Sequence, residues 1–164
     1  MRRTAAIWFC CALAPMLCGA AASPEVAPPG KPIAHAGQWR LMGASDPAPC
    51  SARLQGAEID TVLLINKDGA LVLMGGRGDW QLDASEQSIT LQIDKLPPAD
   101  VKAEFATNLV LAPITDGALL GRLRRAHQLN WTLPMGHFSA DVTGLGAALD
   151  AAKACYRHTA ANAS

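Results

Sequence analysis

Three arginines within four positions, Arg122, Arg124 and Arg125, form the densest local charge in the chain, with His127 beside them. A guanidinium is a planar fork of N–H donors that matches carboxylates and phosphates. The run reads either as a solvated helix face or as a contact for an anionic partner. Arg122, Arg124 and Arg125 are therefore the candidate partner-binding residues. Other chemistry finds less support. His35, His127, His137 and His158 lack the short spacing to one another, or to acidic residues, that zinc sites use. No metal and no cofactor is expected. No Gly-x-Ser-x-Gly turn is present to activate a serine. Gly75-Gly76-Arg77-Gly78 lacks the Gly-Lys-Ser/Thr of a phosphate loop and no helical pattern follows it, so it reads as a hairpin loop. Asp79 and Asp83 stand among polar residues, where solvated carboxylates are the rule. No catalytic constellation emerges, and a non-enzyme is expected.

The cysteines point to a compartment. The chain opens with Met1-Arg2-Arg3, an apolar run from Ala5 to Leu17, and then Cys18-Gly19-Ala20-Ala21-Ala22-Ser23. A basic start, a short apolar run and small residues in A-x-A order describe a secretory signal peptide over residues 1–22. Cleavage after Ala20 or Ala22 is expected. The run is shorter than the roughly 20 residues that span a bilayer, and no later segment qualifies as an integral membrane segment. Lipidation at Cys18 would want a small residue before it, where Leu17 stands. The signal holds Cys10, Cys11 and Cys18, three of five cysteines, and leaves Cys50 and Cys155. A cysteine pair in an exported protein reads as a disulfide. It would close a loop of about 105 residues, worth roughly 4–5 kcal/mol in the chain-entropy model. The protein is expected in the periplasm or secreted. Losing Arg2 and Arg3 from 14 basic residues leaves 12 against 14 acidic ones. That balance calls for neither nucleic acid nor an anionic membrane as partner.

Residues 23–36 carry four prolines and read as a disordered leader, with one domain over 37–158 and a tail at 159–164. Within the domain the dominant period is two. Ile89, Leu91 and Ile93 alternate with Thr90, Gln92 and Asp94, and Leu129, Trp131 and Leu133 with Asn130 and Thr132. Strands with one wet face have this pattern. Val62-Leu63-Leu64-Ile65 and Leu71-Val72-Leu73-Met74 are apolar on both faces, and Asn66-Lys67-Asp68-Gly69 between them predicts a central hairpin. Further breaks are expected at Ala84-Ser85-Glu86-Gln87 and Leu96-Pro97-Pro98. Asp116 can cap a short helix over 117–126. Leu145, Ala148, Leu149, Ala152 and Cys155 share one stripe of a C-terminal helix over 145–157. Trp39, Trp80 and Trp131 fall on apolar faces as core residues. The fold class is mainly β: an antiparallel β-sandwich or a barrel-like sheet with two helices.

This layout resembles the invasion associated locus B family of small exported bacterial proteins. The residues that carry the resemblance are Trp39, Cys50-Ser51-Ala52, the Val62–Met74 hairpin, Phe138-Ser139-Ala140-Asp141-Val142-Thr143-Gly144-Leu145, and Ala147-Ala148-Leu149 with Cys155. The resemblance implies an exported β-rich domain with a C-terminal helix, no known enzymatic activity, and a role at the cell envelope or in host contact. It supplies no catalytic residues and no counterpart to the arginine run. The expectation is a non-enzymatic binding or accessory protein whose partner is another envelope or host protein. The alternative is a periplasmic inhibitor of a secreted hydrolase such as lysozyme.

Overall fold

A computed structural model describes residues 32–42, 50–66 and 68–162. The expected signal peptide, with Cys10, Cys11 and Cys18, and the leader up to residue 31 lie outside them. The chain order is β1 (Pro32–Ala36), β2 (Trp39–Met42), β3 (Ser51–Leu54), β4 (Asp60–Ile65), β5 (Leu71–Gly76), β6 (Leu82–Ile93), β7 (Ala99–Thr107), β8 (Leu109–Ile114), α1 (Gly117–Leu123), β9 (Gln128–Leu133), β10 (Gly136–Asp141) and α2 (Leu145–Asn162). The described strands form one antiparallel sheet in the order β1-β2-β3-β4-β5-β8-β7-β6-β9-β10. The fold is thus mainly β, and of the two expected architectures it is the single curled sheet. No helix among the described residues is long and apolar enough to cross a membrane.

Alternation is what buries one face. Leu129, Trp131 and Leu133 of β9 point into the core while Gln128 and Thr132 stay exposed. The hairpin of β4 and β5 sits at the middle of the sheet. Its turn is organised by Asn66, whose Oδ1 accepts from the amides of Asp68 (3.0 Å) and Ala70 (2.8 Å). Curling shows in one contact. β5 and β9 are four strands apart, about 19 Å on a flat sheet at the usual strand spacing. Yet a Cβ built on Gly75 of β5 would lie 3.3 Å from the Trp131 ring of β9 and 2.7 Å from Ile59 Cδ1. The sheet rolls until its inner faces touch, and glycine at 75 permits the approach.

α2 lies against β1 to β4 and buries Leu145, Ala148, Leu149 and Ala152. The Trp39 indole N–H donates to the Thr143 carbonyl at 3.2 Å and ties β2 to the turn that enters α2. Cys50 and Cys155 form a disulfide with Cα atoms 5.9 Å apart across a separation of 105 residues. Cys50 is 2% exposed.

Three expectations are corrected. Residues 32–36, placed in a disordered leader, form β1 as an edge strand against β2. A proline is tolerated at an edge, where no ladder partner needs its missing N–H. The break expected at 84–87 is absent. β6 runs through it, because its polar half pairs with β7 alone, beyond the reach of β9. The tail expected from 159 is helical to Asn162. No glycine or proline stops α2, and the Thr159 hydroxyl donates back to the Cys155 carbonyl at 3.1 Å. Trp39 and Trp131 are fully buried. Trp80 is half-buried in the loop before β6, edge-on to Phe138 with ring centroids 5.0 Å apart.

Gly75→Ala tests the roll. It should destabilise the fold by about 1–3 kcal/mol, the usual range for overpacking. Gly78→Ala, with no atom within 4 Å of its added Cβ, should cost under about 0.5 kcal/mol. Urea titrations that place the two variants together would refute the contact.

Candidate functional site

The arginine run leaves a short helix that is held at both ends. Asp116 caps α1 as expected, its Oδ1 accepting from the Ala118 amide at 2.7 Å. Leu119 and Leu123 are buried and fasten α1 to the core, next to β8. The chain then tightens, with Arg125 N–H donating to Arg122 O and Ala126 N–H to Leu123 O. Arg122 is left half-buried and Arg125 exposed.

The β6–β7 turn packs beside this helix end. Asp94 adopts φ 50°, which Asp tolerates better than most residues. Its Oδ1 accepts from the amides of Gln128 (2.8 Å) and His127 (3.0 Å), and its own N–H donates to Gln128 O. The Gln128 amide, with His127 second, holds the Asp94 carboxyl below the usual carboxylate range. The turn is thereby latched to the start of β9. Between them lies an open cleft of about 500 Å³ lined by Asp94, Lys95, Leu96, Arg122, Arg125 and His127. Among the described residues no ion pair engages Lys95, Arg122 or Arg125. Leu96 is 41% exposed. The cleft therefore joins three cations, one carboxylate already bound to amides, and an uncovered leucine.

Arg124 goes elsewhere. Its Nη2 lies 2.7 Å from Asp150 Oδ2 on α2. Its carbonyl lies against Gly146 so closely that any Cβ there would collide with it. Arg124 thus ties the α1–β9 connection to α2. The three sequence candidates separate into two that face the cleft and one that braces a helix. Sequence reasoning missed Lys95 and Leu96, some thirty residues earlier. Only the β6–β9 register, with Ile93 opposite Leu129, brings them to the arginines.

The remaining candidates do not converge. His35 is on β1, His127 at the cleft, His137 on β10 beside the Thr132 hydroxyl (3.0 Å), and His158 on α2. No group of three His, Cys, Asp or Glu side chains among the described residues could hold a metal ion. Gly75 and Gly76 end β5. Arg77, in the turn that follows, pairs with Asp79 at 2.8 Å, a contact that holds the Asp79 carboxyl low. Asp83 lies exposed on β6.

No family model matches the sequence, and no curated protein does. Among solved structures, invasion associated protein B of Bartonella henselae aligns over 76% of this chain and 97% of its own, with a TM-score of 0.58 and 16% identity. The chain has the fold of invasion associated protein B. At that identity the likeness to invasion associated protein B lies in the course of the chain and assigns no residue a role.

Asp94→Asn keeps an acceptor oxygen and a residue that tolerates positive φ, and removes the charge. Because folding lowers the Asp94 pKa, its charged form stabilises the fold above the ordinary value near ~3.9. That contribution is lost as pH falls through the lowered folded value. Wild type should melt above Asp94→Asn at pH 7, and the two should converge below about pH 4. A gap that ignores pH would contradict the latch.

Proposed function

We propose that the protein is an exported, non-enzymatic binding protein of the bacterial cell envelope, and that it engages an envelope or host protein through the Lys95–Arg122–Arg125 cleft. The observation that carries this reading is the set of three cations, in no ion pair among the described residues, around an exposed leucine. Charges in such a set repel one another until an anion joins them. Arginine forks favour carboxylates in paired geometry, and Leu96 offers apolar contact between them. The secretory-type start of the chain, the Cys50–Cys155 bridge and the fold shared with an invasion associated protein all agree with work outside the cytoplasm.

Immobilised protein should retain a defined acidic partner from envelope or host-surface extracts, and added salt should weaken the retention. Arg122→Ala with Arg125→Ala should reduce it at least about tenfold, the scale of losing two charge-assisted contacts. Arg77→Ala, which removes a cation already paired with Asp79 and outside the cleft lining, should retain it fully. Equal retention by all three proteins would overturn the assignment. Lysozyme turnover should be unchanged by added protein. Inhibition that vanishes in the double variant would instead give the cleft to blocking a hydrolase's paired carboxylates.

A further inference from the structure

The central hairpin is apolar on both faces, and the fold uses only one of them. Leu63, Ile65, Leu71 and Leu73 point inward and are buried. Val62 and Leu64 of β4, and Val72 and Met74 of β5, point outward and are half-buried. β8 continues this face with Leu111 and Pro113. Strand register arranges the six in two rows, Val62–Met74–Leu111 and Leu64–Val72–Pro113. None of the six packs against the core cluster. A contiguous apolar patch over three adjacent strands is unlike scattered surface residues and marks an interaction face.

The charges flanking the patch are ordered. Arg53 on β3 stands opposite Val62, and Arg40 on β2 opposite Arg53. At the other end Glu104 on β7 stands opposite Leu111, and Glu86 on β6 opposite Glu104. One row across seven strands therefore reads Arg40, Arg53, Val62, Met74, Leu111, Glu104, Glu86. Asp60 pairs with Arg53 and Lys102 with Glu86, which leaves one unit of opposite charge at each flank. Met74 is the midpoint of the row.

We propose that this outer face pairs two copies of the chain about a two-fold axis that lies in the interface along β5. Such an axis places Met74 on Met74, Val62 on Leu111, Arg53 over Glu104 and Arg40 over Glu86. An isologous interface requires this self-complementarity. Two sheets then pack face to face with aligned strands, about 10 Å apart at the centre. Curved sheets part toward their flanks, and the long Arg and Glu side chains stand where the gap widens. The face is separate from the cationic cleft, so this inference does not rest on the proposed function.

Sedimentation velocity over a concentration series should show a monomer–dimer equilibrium in the micromolar range, as expected for a modest interface. Met74→Glu puts two carboxylates together on the axis and should leave monomer at every concentration, with the wild-type melting midpoint at concentrations where wild type is itself monomeric. Arg53→Glu and Glu104→Arg should each be monomeric alone and should form a heterodimer when mixed, because both cross-axis pairs are then restored. Wild type that stays monomeric would overturn the proposal, whether or not it floats with phosphatidylcholine vesicles. So would a dimer indifferent to Met74→Glu, or singly charged-reversed variants that fail to pair on mixing.

Discussion

The disulfide between Cys50 and Cys155 closes what the hydrogen bonds of the sheet leave open. β1 and β10 are the two ends of the strand order, and no ladder joins them among the described residues. A rolled sheet with two free edges needs something else to hold its halves together. α2 does so, leaving the β10 side and lying along β1 to β4. The bridge fixes that helix to the residue just ahead of β3, and the Trp39–Thr143 hydrogen bond fixes its entry. The loop enclosed by the bridge contains nearly all of the sheet. Its constraint acts on the unfolded chain and grows with loop length.

Both surfaces argued to bind follow from that closure. With α2 in place, Asp150 and Gly146 receive Arg124, which sets the α1–β9 connection. Arg122 and Arg125 then turn to the β6–β7 turn, whose Asp94 is latched to β9. On the other side, rolling the sheet commits the inner face of β4 and β5 to the core. Their outer face becomes the convex middle of the molecule, still apolar and uncovered by the described residues. One contact near the axis of the roll, Gly75 against Trp131, is compatible with only a small set of side chains.

Local patterning made much of this legible. Alternation marked β9 and the buried half of β6. Asp116 announced α1, and Cys155 fell on the apolar stripe of α2. What stayed hidden was set by distant partners. The proline-rich residues 32–36 become a strand because β2 lies beside them. Residues 84–87 are polar because only β7 flanks them, and period alone cannot distinguish that from a turn. The hairpin's double apolar pattern marked its central place in the sheet, but which of its faces the roll buries depends on strands far along the chain. The arginine run was visible as a cluster, but its division between Asp150 and the cleft depends on α2 and on a turn thirty residues earlier.

A bridge across a separation of 105 residues holds an open-edged roll closed. Thermal unfolding of the oxidised protein against Cys50→Ser with Cys155→Ser, each with and without reductant, tests it most directly. Loss of the bridge should lower the midpoint of the oxidised protein by about 10 °C or more, from a constraint of roughly 4–5 kcal/mol. Reductant should bring wild type down to the double variant and leave that variant unmoved. Equal midpoints for all four samples would contradict the account.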